Sequence, residues 1–580
     1  MKRFCILLIA LLIVSGAWAQ NQQPCSSCLP EGIIFKTQAQ IDNFQTNYPG
    51  CTEIEGSVMI WEDDITNLYG LSVLTSIGED LYFNDNDALT SLSGLNNLTS
   101  IGRRLHITGS DALSSLTGLE EVTSIGGSLE ILFNEALANL TGLDNLTSIG
   151  GRLAIYDNDT LTSLTGLERL TSIGKYIEIC DNGALTSLTA LDNLTSIGEY
   201  IWIYDNDALT SLTGLRDLTS IGGFLSILDN DALISLTGLE NLTSIGGELK
   251  IQVNAALTSL TGLEGLTSIG GDFLIGRNAV LTSLTGLDNL TSIGDDLGIT
   301  SNDALTTLTG LEGLTSIGGD LQIGSEYGNI SLTSLVGLVG LTFIGGDLMI
   351  RNNNSLTTLM GLEGLTSIGG GVYINNNDAL TSLTGLGNLT SIGGDIEFYY
   401  NPALISLTGL EGVTSIGGFL SIKYNSHLTS LTGLDSIDAS SISNLSIYYN
   451  LSLSTCDVKS ICDYLATPNG TVNIHDNATG CDSQEEVEAA CEATFVEDIT
   501  PEASFSIYSN PALIQITIET STPPQKNTLL TIYNLNGQQF IERQINEPTT
   551  VIDVGVLPSG VYVVRMVWEK GVQVGKFVKK

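Results

Sequence analysis

Acidic side chains recur along this chain at a spacing that would stack them. Four aspartates stand at equal 24-residue intervals: Asp157, Asp181, Asp205 and Asp229. Carboxylates stacked about 5 Å apart repel one another unless a cation screens or binds them, and Ca²⁺ prefers oxygen ligands. Calcium is therefore one hypothesis for this row. The alternative is that Asp serves the backbone of turns, since no Gly-Gly-x-Gly-x-Asp calcium repeat is present.

Residues suited to catalysis are sparse. The three histidines, His106, His427 and His475, are far apart in the sequence, and no Ser-His-Asp, Cys-His or zinc-type spacing occurs. Lys and Arg total 21 against 64 Asp and Glu, which gives a formal net charge of −43. This charge disfavours nucleic acid and anionic membranes as partners, and it favours solubility. We therefore predict a non-enzymatic protein with no cofactor beyond the calcium hypothesis.

Large apolar side chains, almost all aromatic, form two groups at positions predicted to face outward from short strands. The first group is Tyr156, Tyr176, Tyr200, Trp202, Tyr204, Phe224 and Leu228. The second group is Tyr373, Tyr399, Phe419 and Tyr448, with Tyr400, Tyr424 and Tyr449 as further candidates. Exposed aromatic patches on a rigid sheet commonly bind ligands, here a protein or a glycan. The alternative is that aromatic residues favour strands and stack across them.

Threonines form a further set of rows between the predicted strands. They include Thr162, Thr165, Thr171, Thr210, Thr213 and Thr219. A flat, regular threonine array is the kind of surface that ice-binding proteins present, so ice binding is an alternative function. The structural interpretation is that Thr and Ser solvate tight segments that have no room for bulky residues.

A repeat must position all of these rows. An Ile-Gly pair recurs with a constant 24-residue period at Ile77, Ile101, Ile125, Ile149, Ile173, Ile197, Ile221, Ile245, Ile269, Ile293 and Ile317. One longer, 27-residue step leads to Ile344, and the original period returns at Ile368, Ile392 and Ile416. A fixed period of this size predicts a solenoid, with a small bulged loop between Gly324 and Ser331.

Each predicted coil has a strand and a return arm. A strand such as 153–155 alternates inward and outward residues. In the arm, Leu161, Leu164, Leu167 and Leu170 recur every third position, which favours extended or 3₁₀-like turns over an α-helix. Asparagines that follow the strands should stack and bond the corner backbone: Asn134, Asn158, Asn182, Asn206, Asn230, Asn254, Asn278 and Asn302. About eighteen rungs would make a sheet on the order of 85 Å long.

Cysteines cluster at the two ends of the array, where a solenoid must cover its terminal coils. Cys25, Cys28 and Cys51 lie in a predicted N-terminal cap, residues 20–56, and Cys456, Cys462, Cys481 and Cys491 lie in a C-terminal cap, residues 456–495. We expect disulfides in both caps, with the pairing open. Cys180 stands alone within the repeats, residues 57–455, at a position predicted to face outward, either as a surface thiol or as a partly shielded, inert one.

The N-terminus has the features of a secretory signal. Lys2-Arg3, an apolar run from Phe4 to Val14 and the small-x-small site Ala17-Trp18-Ala19 predict a signal peptide over residues 1–19. The run is too short for a membrane span, no later stretch supplies one, and no lipobox precedes Cys25. The chain is therefore predicted to be exported without a transmembrane segment.

The pattern Leu-x-Ile-x-x-Asn-x-x-Leu, preceded by Ile-Gly-Gly, resembles the leucine-rich repeat. The entry from Cys51 to Ile60 and the exit from Asn477 to Cys481 resemble the receptor L domain more closely. That resemblance implies a right-handed solenoid over roughly residues 50–480. The array is much longer and more regular than one L domain, so it does not imply receptor function.

The end of the chain changes character. After an acidic linker, residues 496–503, alternating strands with Asn-Gly and Pro-Ser-Gly turns predict a small β-sandwich over residues 504–580. Its spaced motifs include Asn510, Pro511, Gly537, Gly560 and Tyr562. They resemble the type A C-terminal sorting domain of the type IX secretion system of Bacteroidota, although Ser509 replaces the usual Pro.

The resemblance to the sorting domain implies a partner and a destination. The partner is the type IX machinery, and the destination is the cell surface or the medium after passage through the periplasm and removal of the domain. The predicted fold class is mainly β: a leucine-rich, L-domain-like solenoid of 24-residue repeats followed by a small β-sandwich. The predicted function is adhesion or ligand binding through the strand face. The alternatives are ice binding and a structural spacer with Ca²⁺-stabilised Asp rows.

Overall fold

The computed structural model describes residues 26–495, 505–521, 523–524, 528–568 and 571–580. The predicted signal peptide, Cys25 and the predicted linker lie outside these residues. The chain divides into two compact units, Met1–Cys491 and Glu492–Lys580.

The first unit contains one long parallel sheet of nineteen strands. Each strand is hydrogen-bonded to the strand of the next coil. Neighbouring strands pair in phase, so that Leu153 lies opposite Ile177 and Tyr156 opposite Cys180. The eighteen rungs predicted from Val58 onward are present, and a first strand from the predicted cap precedes them. The strands are Ile33–Phe35, Val58–Trp61, Leu81–Asn84, Leu105–Thr108, Leu129–Leu132, Leu153–Tyr156, Ile177–Cys180, Ile201–Tyr204, Leu225–Leu228, Leu249–Gln252, Phe273–Gly276, Leu297–Thr300, Leu321–Ile323, Leu348–Arg351, Val372–Asn375, Ile396–Tyr399, Leu420–Lys423, Leu445–Tyr448 and Val472–His475.

The return arms are turns and two-residue strands, as the three-residue spacing predicted. Leu161, Leu164, Leu167 and Leu170 are fully buried, and the equivalent residues of the other coils continue this core. The short strands form two parallel sheets. They are Ser27–Cys28, Glu53–Ile54, Ser76–Ile77, Ser100–Ile101, Ser124–Ile125, Ser148–Ile149, Ser172–Ile173 and Ser196–Ile197 in the first, and Ser220–Ile221, Ser244–Ile245, Ser268–Ile269, Ser292–Ile293, Ser316–Ile317, Phe343–Ile344, Ser367–Ile368 and Ser391–Ile392 in the second.

Glycine in the arm is required by the closeness of the coils. Gly166 has φ +112°, and a Cβ atom there would lie 2.2 Å from the carbonyl oxygen of Leu140. Ala190 replaces glycine at the equivalent position, and a 3₁₀ turn, Thr189–Leu191, forms instead. The break between the two short-strand sheets follows directly, after Ser196–Ile197. Similar turns occur at Tyr69–Leu71 and Ala439–Ser441.

The predicted asparagine ladder is present. Asn158 is fully buried, and its Nδ2 donates to the carbonyl oxygens of Ile131 at 3.0 Å and Tyr156 at 2.8 Å. Its backbone N–H donates to Oδ1 of Asn182 at 3.2 Å. Because most rungs repeat this pattern, with Ser110 in place of asparagine in one of them, the ladder satisfies the buried corner of the solenoid.

The predicted bulged loop is also present. Asn302 and Asn329 are 27 residues apart, yet the backbone N–H of Asn302 donates to Oδ1 of Asn329 at 3.0 Å. The ladder therefore continues past the insertion, and the extra residues extend outward around Tyr327, which is 65% exposed.

The caps close both ends of the array. The N-terminal cap contains helices Gln38–Asp42 and Phe44–Asn47 and a disulfide between Cys28 and Cys51. The C-terminal cap contains helices Lys459–Ala466 and Gln484–Phe495, and disulfides join Cys456 to Cys481 and Cys462 to Cys491.

The second unit contains two antiparallel sheets with one core, as predicted for residues 504–580. One sheet is Phe505–Tyr508, Gln515–Thr520 and Thr549–Asp553, and the other is Gln539–Gln544, Leu529–Asn534, Gly560–Trp568 and Gly571–Lys579.

The motif residues of the second unit are structural. Asn510 accepts from the N–H of Val578 at 2.8 Å, and Gly537 adopts φ +75° in a turn. Tyr562 donates to the carbonyl of Pro558 at 2.9 Å and stacks on Phe577. Pro511 and Gly560 lie beside these contacts, before the second strand of one sheet and at the start of a strand of the other.

Candidate ligand-binding surface

The outer face of the long sheet has three side-chain positions per rung and a corner. In the rung of strand Leu153–Tyr156, the residue before the strand is Arg152, the second strand residue is Ala154 and the fourth is Tyr156. The corner residue, Asp157, follows at once. The variable residues of this face occupy these four positions, because the leucine and isoleucine core takes the inward positions.

The predicted aspartate row occupies the corner. Asp157, Asp181, Asp205 and Asp229 have φ between 52° and 55°, in the left-handed region where Asp and Asn are the best-tolerated residues after glycine. Burial and the neighbouring carboxylates of Asp205 and Asp157 raise the pKa of Asp181 to about 6. Within the described residues, no group of three or more His, Cys, Asp or Glu side chains is placed to hold a metal ion. The backbone explains the row, and calcium binding stays an untested prediction.

The first aromatic group forms a stack that satisfies itself. The rings of Tyr176, Tyr200 and Phe224 lie nearly parallel, with successive centroids 4.2 Å apart, because in-phase strands place them about 4.8 Å from one another. The hydroxyl of Tyr200 donates to Glu178 at 2.9 Å, and Arg152 donates to the hydroxyl of Tyr176 at 3.5 Å. The faces and polar atoms of these rings are thus largely engaged within the protein.

A charge network that the sequence pattern did not predict supports this stack. Glu130 is only 3% exposed, and its carboxylate lies 2.9 Å from Arg152, 2.8 Å from His106 and 3.5 Å from Arg104. Burial opposes its ionisation, but the hydrogen bonds from His106 and Arg152 outweigh burial and lower its pKa to about 2. Arg152 also bridges to Glu178 at 3.3 Å. The available signal was that His106, Glu130 and Glu178 share one strand position at multiples of the 24-residue period.

The remaining members of the first group lie on both sides of Cys180. Tyr156 and Tyr204 are its partners on the two neighbouring strands, and the thiol between them is buried. Cys180 occupies the predicted outward-facing strand position, but it is not a surface thiol, because these two larger side chains lie on either side of it. Burial, followed by the charges of Asp181 and Glu178, raises the pKa of Cys180 to about 12. The shielded, inert alternative holds.

None of the first group is strongly exposed. All seven residues, including Trp202, Tyr204 and Leu228, are half-buried. Trp202 lies 6.2 Å from Tyr204 by ring centroid, and its Nε1 is buried without a hydrogen-bond partner among the described residues. Cross-strand stacking therefore accounts for three of the seven residues, Tyr176, Tyr200 and Phe224.

The second aromatic group is different, because its rings reach the solvent. Tyr399 is 37% exposed, Tyr400 49%, Tyr424 37% and Tyr449 39%. Tyr448, which is half-buried, stacks on His475 with ring centroids 4.8 Å apart. We call these six residues the tyrosine patch: Tyr399, Tyr400, Tyr424, Tyr448, Tyr449 and His475. His475 was missed from the sequence, although it occupies the strand position of Tyr448 one rung later.

Two predicted members of this group are less available. Tyr373 is half-buried, and its hydroxyl donates to Asp395 at 3.2 Å. Phe419 is half-buried, and its backbone N–H donates to the other carboxylate oxygen of Asp395 at 2.8 Å. They form the edge of the tyrosine patch and contribute less exposed surface to it.

Polar contacts distinguish the patch from the first group. Within the described part of the chain, the hydroxyls of Tyr399, Tyr400, Tyr424, Tyr448 and Tyr449 make no hydrogen bond. Partial desolvation, followed by the neighbouring tyrosines, raises the pKa of Tyr424, so its hydroxyl is protonated at neutral pH. The ammonium of Lys423 lies 5.1 Å from the ring centroid of Tyr448. The patch therefore presents both ring surface and unused donors.

The threonine rows are bound to the scaffold. Thr171 donates to the carbonyl of Thr147 at 3.1 Å, and Thr162 donates to that of Ala138 at 3.2 Å. The hydroxyls of Thr165 and Thr213 pair with serines of their own rungs. These bonds favour the structural interpretation of the rows, and ice binding stays an untested prediction.

Comparisons with known families agree with the two units. A model described as a BspA type leucine rich repeat region matches in six copies over residues 52–178, 130–249 and 177–302. A model described as a secretion system C-terminal sorting domain matches residues 506–580. None of the curated proteins matches the chain at a significant level.

These matches identify the repeats within residues 52–302 as BspA type leucine rich repeats and residues 506–580 as a sorting domain. The protein is accordingly exported by type IX secretion to the cell surface or the medium, and its tail implies contact with that machinery. No helix among the described residues is long and apolar enough to cross a membrane. The finer likeness to receptor L domains stays a prediction.

Proposed function

We propose that this exported leucine-rich repeat protein is a non-enzymatic adhesion protein that binds a protein or glycan through the strand face of its solenoid. One observation carries the proposal: the tyrosine patch combines rings that reach the solvent with five hydroxyls that make no hydrogen bond among the described residues. Clusters of tyrosine in this state supply large contact area and hydrogen-bond donors together.

The scaffold beneath the patch favours binding because it is rigid. Asn401 and Asn425 are fully buried ladder residues directly after Tyr400 and Tyr424, and the backbone N–H of Asn401 donates to Oδ1 of Asn425 at 3.0 Å. A surface held by such a ladder loses little conformational freedom when a ligand binds. More of the contact energy is then available for affinity.

The test is binding of the secreted full-length chain to an array of glycans and matrix proteins. The patch variant carries both Tyr399→Ser and Tyr448→Ser. It should weaken binding to the captured ligand by about tenfold or more, since central aromatic contacts dominate interfaces. Gln252→Ser is the matched control, because Gln252 has the same strand position on a rung without aromatic residues. Equal binding by the patch variant and the control would remove the patch from the function.

A second variant examines the first aromatic group. Trp202→Ser with Tyr204→Ser should leave the affinity unchanged, because these side chains are half-buried against their neighbours. Loss of binding in this variant alone would move the site to the first group.

A further inference from the structure

At the corner position of the tyrosine patch, bulky side chains occupy a left-handed backbone that they disfavour. Tyr400, Tyr424 and Tyr449 have φ of 53°, 58° and 57° on three successive rungs. The left-handed region costs a side chain with a Cβ roughly 1–2 kcal/mol, and bulky residues there are true outliers. We call these three residues the tyrosine row.

Other rungs show what this backbone prefers. The same corner holds Asp, Asn, Gly or Ser in most coils, as at Asp85, Gly109, Ser301, Asn352 and Asn376. Bulky residues also occur there at Phe133 and, on two successive rungs, at Val253 and Arg277. Three identical bulky residues in succession are unlike the rest of the corner. Backbone strain that is retained at one place is a reason to propose a function there.

The row is also built as a surface. The rings of Tyr424 and Tyr449 stack with centroids 4.8 Å apart, and Tyr399 packs edge-on against Tyr424 at 5.4 Å. Tyr400 at the end of the row is half exposed. Because successive rungs lie about 4.8 Å apart, the three side chains form a strip parallel to the solenoid axis, and Tyr399 contacts both Tyr400 and Tyr424 within it.

The corner positions of the strip stay uncharged toward the insertion, where the groove at its far end is lined in part by Arg277, Asp303 and Glu326. The next two corner residues are Asn376 and Asn352, and Asn352 lines a groove of about 600 Å³ beside the exposed Tyr327. From Asn352 to Tyr449 the corner positions carry no ionisable carboxylate or cation, in a chain of net charge −43. In contrast, the corner of the first aromatic group carries four carboxylates.

We infer that the tyrosine row, extended by Asn376 and Asn352, binds an uncharged polysaccharide that lies along the solenoid axis. Sugar rings present C–H faces that pack on aromatic rings and hydroxyls that bond amides and phenols. A neutral polymer has no electrostatic cost beside this acidic protein, whereas an anionic one would be repelled. The inference rests on the proposed function, because it names the ligand class and the edge of the same patch.

The experiment uses the full-length chain with soluble uncharged α-glucan, β-glucan and mannan, and with sulfated and uronic acid polysaccharides as charged comparisons. The variant is Tyr400→Asn, Tyr424→Asn and Tyr449→Asn together. We expect wild type to bind at least one uncharged polymer and none of the charged ones. The variant should lose at least tenfold in affinity, yet melt at a higher temperature, since Asn tolerates this backbone.

Phe133→Asn is the matched control, because Phe133 is 53% exposed at the same corner with φ 56°. It should raise the melting temperature without changing polysaccharide affinity. Tyr327→Ser should weaken binding of long chains more than that of short oligosaccharides, because it lies at the far end of the strip.

Other outcomes separate the inference from the proposed function. Capture of only proteins or charged polymers, or full binding by the triple variant, overturns the polysaccharide inference. In that case loss of binding by the Tyr399 and Tyr448 variant still supports the proposed function. A triple variant that melts below wild type contradicts the strain argument, and absence of any captured ligand overturns both proposals.

Discussion

The aspartate row and the tyrosine row occupy the same corner of the same repeat, and they show which part of the repeat is free to vary. In both rows the corner N–H donates to the fourth strand residue of the next rung: Asp205 to Leu228 at 3.1 Å, and Tyr424 to Tyr448 at 3.2 Å. In both rows the backbone is left-handed. The fold therefore dictates the backbone at this corner and leaves the side chain open.

The two rows are destabilised by different effects. The aspartates suit the backbone but repel one another, and the raised pKa of Asp181 reports this repulsion together with burial. The tyrosines relieve the charge but strain the backbone. A residue that follows the local backbone preference needs no function to explain it. Three successive tyrosines that oppose this preference support the proposal that the tyrosine row binds a ligand.

The largest expected effect is loss of stability on replacing the buried ladder asparagines that follow both rows. We expect the same loss in the two rows. Asn206→Ala and Asn425→Ala should each destabilise the solenoid by about 3 kcal/mol or more, because each leaves buried carbonyls and an N–H unpaired. Asn206 now bonds Ile179 and Tyr204, and Asn425 bonds Phe398 and Lys423. The measurement is the urea midpoint of each variant.

Asn193→Ala is the control, since this exposed asparagine bonds a single carbonyl, that of Glu168. It should shift the midpoint only slightly. If Asn425→Ala is as mild as this control while Asn206→Ala is severe, the two rows do not share one support.

An intermediate effect should follow from exchanging side chains at the corner. Asp205→Tyr should be about 1–2 kcal/mol less stable than Asp205→Asn, because both remove the charge and only Tyr strains the left-handed backbone. The difference in thermal unfolding between these two variants isolates strain from repulsion. Equal stability would show that the corner accepts Tyr freely, which would remove the structural basis of the tyrosine row.

The smallest expected effect is a pH dependence confined to the aspartate row. The folded state holds the pKa of Asp181 at about 6, above its ordinary value of 3.8, so the folded state binds the proton more tightly than the unfolded state. Stability attributable to Asp181 is present below about pH 4 and is lost as the pH rises through 6. Because this side chain is only half-buried and solvent screens its charge in part, the change should be less than about 1 kcal/mol.

The measurement compares wild type with Asp181→Asn between pH 4 and pH 7. The variant should lack this component, while Glu130, with a lowered pKa, makes the opposite contribution in both proteins as the pH falls below about 4.5. A Tyr424→Asn variant should show the wild-type pH dependence. Identical curves for wild type and Asp181→Asn would exclude repulsion at this corner.

Features that depend on the period were predicted, and those that depend on packing between neighbours were not. The coil, the buried asparagines and the loop near Tyr327 follow from spacing alone. The burial of Cys180 did not, because it depends on the size of Tyr156 and Tyr204 on adjacent rungs. The disulfide pairing was likewise left open, since several pairings satisfy the same cysteine count.

By itself, the sequence determined the architecture of this protein: a constant period with inward Leu, Ile and Asn leads to in-phase parallel strands, since any other register would expose the core. It also determined export, through the spaced motifs of the tail. Only the tertiary structure decided which aromatic residues are free. Tyr200 precedes a strand, stacks between neighbouring rings and bonds Glu178, whereas Tyr424 occupies the left-handed corner after a strand and reaches the solvent.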